Sequence, residues 1–130
     1  MLSKPGDFIG YVFAFVIASA ALFAAPIPAS AQGAFNGTWS VMIITNNGPC
    51  DRAYRYPLRI SNGHVTYAGS ADFNVSGRVA GNGAVSVMVS RGSQRAAGTG
   101  KLSGGSGSGR WSGGGSSDRC SGIWTAEKRG

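Results

Sequence analysis

The chain has 130 residues, enough for one small domain, and its 12 Lys and Arg against 5 Asp and Glu give a net charge of +7. One His and two Cys exclude a Cys₄ or Cys₂His₂ zinc site within one chain, and the length excludes a TIM barrel or a complete dinucleotide-binding enzyme. Glycine is abundant: 22 of the 130 residues are glycine, whereas its average share in proteins is about 7%. We therefore expect a small, basic, glycine-rich domain with no metal ion and no cofactor.

Residues 1–31 have the pattern of a secretory signal peptide. A short basic start precedes an apolar run over residues 8–25, and two prolines end that run. Ala29-Ser30-Ala31 then matches the small-x-small sequence that signal peptidase accepts, so we expect cleavage before Gln32. The alternative is a retained membrane anchor, for which the apolar run is short. We predict an exported protein, periplasmic or extracellular, that touches a membrane only through this segment before cleavage.

Both cysteines, Cys50 and Cys120, lie after the expected cleavage site. An even number of cysteines in an exported chain predicts a disulfide. Two free reactive thiols are the alternative. A disulfide here would close a loop of about 70 residues, which in the chain-entropy model stabilises the fold by about 4 kcal/mol.

The rest of the chain alternates between apolar and polar residues with a period of two, which is typical of half-buried strands, and no long segment shows the helical period. Asn62-Gly63 predicts a type I′ hairpin turn, in which both central residues need positive φ. We expect a second turn of the same kind at Gly81-Asn82-Gly83. These signals predict eight short strands, over residues 37–45, 53–60, 64–69, 72–79, 84–91, 95–102, 108–113 and 119–127.

Eight sequential strands joined by hairpins favour an antiparallel up-and-down meander that closes, or nearly closes, into a small barrel. The predicted fold class is therefore all-β, with one barrel domain over residues 32–130. The Gly- and Ser-rich stretch over residues 103–117 has two interpretations, a flexible linker or ordered glycine-rich strands. The apolar anchors Trp111 and Trp124 favour ordered strands.

The opening Phe35-Asn36-Gly37-Thr38-Trp39-Ser40 resembles the Gly-x-Trp start of the first strand in lipocalins and avidin-type barrels. Over residues 35–129 the chain is similar to small exported proteins of alphaproteobacteria. The shared segments are the Phe-x-Gly-Thr-Trp opening, Tyr54-Arg55-Tyr56-Pro57, Ser76-Gly77-Arg78-Val79 and Cys120-Ser121-Gly122-Ile123-Trp124. This resemblance implies an exported bacterial module with a lipocalin- or avidin-like barrel, and it implies no activity.

No recognisable catalytic set follows the signal segment. A disulfide would bring Asp51 and Asp118 together as an acid pair, although each lies beside an Arg in a predicted turn. His64 has the outward phase of its strand, which favours a solvated residue over a general base. We therefore predict that the protein is not an enzyme.

Two binding functions remain open. The first is a binding module of the bacterial envelope that holds a small apolar or aromatic ligand inside the barrel, on Trp39, Tyr54, Tyr56, Tyr67, Trp111 and Trp124. The alternative is an envelope factor, such as an enzyme inhibitor, that binds a protein or polyanion through Arg55, Arg59 and Arg78 on its outer surface. Strand alternation places the tyrosines on the core side, so nucleic acid is not an expected partner.

Overall fold

The computed structural model describes residues 33–130, which form a closed eight-stranded barrel. Each strand pairs antiparallel with the next, and β8 pairs with β1. This confirms the predicted all-β class and the closed up-and-down barrel. The expected signal peptide and its cleavage site lie outside the described residues. The strands are β1 (Gly37–Asn47), β2 (Ala53–Ser61), β3 (His64–Tyr67), β4 (Asn74–Val79), β5 (Ala84–Arg91), β6 (Gln94–Ser103), β7 (Ser106–Gly114) and β8 (Cys120–Lys128).

The turns and loops that connect the strands lie at two opposite ends of the barrel, named here the closed end and the mouth. The closed end contains both ends of the described chain, residues 33–36 and 129–130, with the turns at residues 62–63, 80–83 and 104–105. The mouth contains the loops at residues 48–52, 68–73, 92–93 and 115–119. Within residues 33–130 no helix is long and apolar enough to cross a membrane.

The two predicted asparagine–glycine turns differ in geometry. Asn62 and Gly63 have φ values of 50° and 82°, which confirms the predicted type I′ turn. In the second turn only Gly83 has a positive φ, and its N–H donates to the Ala80 carbonyl at 2.8 Å. This is the pattern of a type I turn followed by a glycine bulge, so the prediction of a second type I′ turn is wrong. The loop has more residues than a two-residue hairpin, and the left-handed glycine absorbs the excess.

The wall between β3 and β4 is shorter than the sequence predicts. β3 ends at Tyr67 and β4 begins at Asn74, whereas the predicted strands cover residues 64–69 and 72–79. The two strands pair at only two positions, both towards the closed end. On the mouth side Phe73 packs against Tyr67, with ring centroids 5.3 Å apart. Aromatic side chains therefore fill the part of this wall that lacks backbone pairing.

Glycines shape the wall made by β6, β7 and β8. Most of the stretch over residues 103–117 lies in β7 and its turn, which confirms ordered strands over a flexible linker. A Cβ atom on Gly109 would lie 2.7 Å from the Trp124 ring, and one on Gly100 would overlap that ring. The indole ring therefore occupies space that any larger residue at these two positions would take.

The packed core lies mainly at the closed end. Trp39 is 1% exposed, and its indole N–H donates to the Phe35 carbonyl at 2.9 Å. The side chains of the surrounding strands complete this cluster: Ile60, Val65, Val79, Leu102 and Ala126. The backbone of Thr38 bonds to both Arg129 and Gly130, which ties the end of the chain to this end of the barrel.

A disulfide joins Cys50, in the loop after β1, to Cys120 at the start of β8. This confirms the predicted pairing, and the alternative of two free thiols is wrong. Cys120 is buried and its sulfur accepts a hydrogen bond from the Cys50 backbone N–H at 3.2 Å. The bond fixes one side of the mouth, and it is consistent with an oxidising environment.

Candidate ligand-binding cavity

A cavity of about 800 Å³ lies inside the barrel, between the packed closed end and the mouth. Its volume is within the range of small-molecule sites, which is roughly 300–1,000 Å³. Inward side chains of the strands form its floor and walls because alternate residues of every strand face the interior. The apolar lining includes Val41, Ile43, Leu58, Val85, Val87 and Val89.

Polar side chains line the cavity only near the mouth. They come from the upper part of β1, the loops after β1 and β3, and the β5–β6 hairpin: Thr45, Asp51, Asp72, Ser90, Arg91, Ser93, Gln94 and Arg95. Thr45 is buried, and its hydroxyl donates to the Asp51 carbonyl at 2.6 Å. The site therefore combines an apolar interior with a polar, charged rim.

The six aromatic residues predicted to bind a ligand are inward-facing, and five of them line the cavity: Trp39, Tyr54, Tyr56, Trp111 and Trp124. Tyr67 lies outside the lining and packs behind it against Phe73. Trp39 forms part of the floor, whereas Tyr54 and Tyr56 lie at the mouth end of β2.

The three tryptophans present ring surfaces to the cavity and no free donor. Each indole N–H donates to a backbone carbonyl oxygen at 2.9–3.1 Å: Trp39 to Phe35, Trp111 to Ile44 and Trp124 to Thr99. Because an indole has a single N–H donor, none remains for a ligand. The tryptophan walls therefore recognise apolar or aromatic surface.

Four aromatic rings form a cluster at the mouth. Phe73 lies at its centre, with centroid distances of 6.0 Å to Tyr54, 4.9 Å to Tyr56 and 5.3 Å to Tyr67. Tyr54 and Tyr56 are 4.7 Å apart. These separations fall in the range of favourable aromatic pairs. Sequence reasoning missed Phe73 as a site residue, although its alternation with Val75 is the signal that places it on the inward face.

Arg91 lies against this aromatic cluster. Its guanidinium carbon is 5.0 Å from the centroid of the Phe73 ring, a distance typical of a cation–π contact. Burial raises the pKa of Tyr56 above its ordinary value, and the neighbouring phenols of Tyr54 and Tyr67 raise it further. The positive charge of Arg91 opposes this rise. Tyr56 therefore stays a neutral phenol at physiological pH.

The residues considered for catalysis form no metal cluster. Asp51 lines the mouth, whereas Asp118 lies in the loop before β8 and outside the cavity lining. His64 is exposed on the outer face of β3, paired across the strands with Arg78. Within the described part of the chain, no group of three or more His, Cys, Asp and Glu side chains is arranged to hold a metal ion.

The basic residues surround the barrel. Arg55 is exposed near the mouth and donates to the Ser40 hydroxyl at 2.8 Å, whereas Arg59 and Arg78 lie nearer the closed end. Other strands, hairpins and loops carry the remaining exposed cations of residues 33–130: Arg52, Arg91, Arg95, Lys101, Arg110, Arg119, Lys128 and Arg129. The exposed cations of this part of the chain therefore form no single basic face.

Neither a protein-family model nor a curated protein matches this chain.

Proposed function

We propose that this protein is a non-enzymatic binding protein that holds a small apolar or aromatic ligand inside its barrel. The observation that carries the proposal is the apolar cavity of about 800 Å³ below a polar mouth. The tryptophan and tyrosine rings supply large rigid contact surfaces, while the valines of β5 supply a smooth aliphatic wall. The distribution of outward basic residues around the whole barrel favours the cavity over the outer surface as the binding site.

The packing of the barrel supports a ligand rather than an empty space. Protein interiors are close-packed, and voids larger than a water molecule are few. Without a ligand, the apolar side chains below the open mouth stay in contact with water, which the hydrophobic effect disfavours. The glycines of β6 and β7 leave room for the Trp124 ring, which lines the cavity. A bound apolar ligand would cover this apolar lining and stabilise the folded state.

We also propose that the protein is exported and acts in the periplasm or outside the cell. The disulfide between Cys50 and Cys120 supports this location because such bonds persist in oxidising compartments. The signal-peptide pattern of residues 1–31 supports it independently.

Binding of the neutral fluorescent probe N-phenyl-1-naphthylamine tests the proposal. We expect saturable one-to-one binding that depends little on salt, because the contacts are apolar. Val87→Trp places a large ring inside the cavity and should abolish binding. Its matched control is Met88→Trp on the same strand, because Met88 points outward and is 52% exposed.

The paired variants separate the cavity from the surface. Loss of probe binding in Val87→Trp, with affinity retained in Met88→Trp, supports an interior site. Equal binding by both variants would place the probe on the outer surface. Absence of probe binding to the wild-type protein would contradict an apolar ligand site. The far-ultraviolet circular dichroism spectrum of each variant reports whether the barrel has formed.

A further inference from the structure

We infer that the ligand is a single-chain amphiphile with an anionic head group, in which the head lies at Arg91 and the chain extends into the cavity. This inference rests on the proposed function and names the chemical class of its ligand. Its basis is the position of Arg91 at the top of an otherwise apolar column.

The lining changes from apolar to charged along a single strand. β5 directs Val85, Val87 and Val89 into the cavity, and Arg91 follows them in the same inward phase. Arg91 follows Val85 by six positions. A rise of about 3.4 Å per residue and a tilt of about 40° therefore place them about 15 Å apart along the barrel axis. A medium-length alkyl chain matches this depth.

The guanidinium of Arg91 contacts an aromatic ring, and among residues 33–130 it donates no side-chain hydrogen bond. The central carbon of the group lies over the Phe73 ring, 5.0 Å from the centroid, and Phe73 packs on Tyr56. Within residues 33–130, Arg91 makes no ion pair, and the one salt bridge there joins Arg129 to Glu127 at 3.2 Å. A guanidinium that lies over an aromatic ring can still use its N–H groups to bind carboxylate or phosphate in a bidentate manner.

The position of Arg91 and the net charge of the chain favour an anionic head over a cationic one. Arg95 also lines the mouth, on the same hairpin as Arg91, and Asp51 and Asp72 line it from two loops. All four side chains are exposed, but only Arg91 continues the inward phase of a strand. The net charge of +7 creates a field that attracts anions to the whole domain.

The head group is tested with four probes that share one alkyl chain. Isothermal titration calorimetry would compare decanoate, decyl phosphate, 1-decanol and decyltrimethylammonium, each below its micelle concentration. We expect both anions to bind about tenfold more tightly than the alcohol, as a charge-assisted hydrogen bond would allow, and the cation to bind most weakly. The difference between decanoate and decyl phosphate identifies which anionic head fits better.

Arg91→Gln should lower the affinity for both anions about tenfold and leave the affinity for 1-decanol unchanged. The matched control is Arg110→Gln, which removes the same charge from the outer face of β7, away from the cavity lining. That control should retain the preference for anions. The unchanged affinity for 1-decanol also shows that the Arg91→Gln barrel is folded.

The outcomes separate this inference from the proposed function. If 1-decanol binds as tightly as the anions, or the cation binds best, the anionic head group is wrong while the interior site stands. If Arg110→Gln loses the preference for anions as fully as Arg91→Gln does, that preference comes from the net charge of the protein and not from a site at Arg91, and the inference is overturned. If none of the four probes binds and N-phenyl-1-naphthylamine also fails, the proposed function falls as well.

Discussion

Substitution of two glycines of β6 by alanine tests whether glycine is needed there to leave space for the Trp124 ring. A Cβ atom on Gly98 would lie 3.5 Å from the Trp124 indole nitrogen, which is ordinary van der Waals contact. A Cβ atom on Gly100 would overlap the same ring and the Ser108 carbonyl oxygen on β7. The two positions share a strand, a face and a negative φ, so the substitutions differ mainly in the space available.

The expected effects have opposite signs. Replacing a strand glycine by alanine removes conformational freedom from the unfolded chain, which stabilises the fold by about 0.4–1 kcal/mol where the space is open. Gly98→Ala should therefore be neutral or slightly stabilising. Gly100→Ala adds overpacking against a ring and a backbone carbonyl, which costs about 1–3 kcal/mol. We expect Gly100→Ala to be less stable than Gly98→Ala by about 2 kcal/mol.

Thermal and guanidinium chloride unfolding of the oxidised protein measure this difference. For a domain of this size, about 2 kcal/mol corresponds to a Tm difference of roughly 10 °C. The near-ultraviolet circular dichroism of the tryptophans should also change in Gly100→Ala, because its methyl group displaces the Trp124 ring towards the cavity. If the two variants are equally stable, or if Gly98→Ala is the more damaging, the account of the glycine wall is refuted.

Two further predictions concern the disulfide and the mouth tyrosine. The double variant Cys50→Ala and Cys120→Ala should be less stable than the oxidised protein by about 4 kcal/mol, measured by guanidinium chloride unfolding. A decrease in the free energy of unfolding of less than about 1 kcal/mol would contradict the loop-closure argument. The pKa of Tyr56 is raised above its ordinary value of 10.0. The neutral phenol therefore stabilises the folded state fully below about pH 10, and this stabilisation is lost as the pH rises through the pKa of the folded protein. Tyr56→Phe removes the titrating group, so this variant should lose less stability at alkaline pH than the wild-type protein. Arg91 lowers that pKa, so Arg91→Gln should raise it further, and an unchanged phenolate absorbance titration would count against their proximity.

The local pattern of the sequence predicts the strands because a strand places alternate residues on opposite faces. Each of the eight predicted strands has a counterpart in the barrel, and the two cysteines allow one intramolecular pairing. The inward phase of Trp39, Tyr56 and Trp124 likewise follows from alternation alone. The sequence pattern predicts the wrong turn at Gly83, where a bulge replaces the predicted type I′ turn. The reason is that several local conformations suit the same residues.

Tertiary structure decides how far the strands pair and what their inward faces enclose. Alternation assigns a face to a residue but no height in the barrel and no neighbour across it, so Phe73 and Arg91 meet only in the folded chain. The pairing of β1 with β8 and the short seam between β3 and β4 depend on strand tilt and stagger around the whole barrel. The volume left inside depends on the sum of all inward side chains, including the glycines beside Trp124, and no single segment of sequence contains that sum.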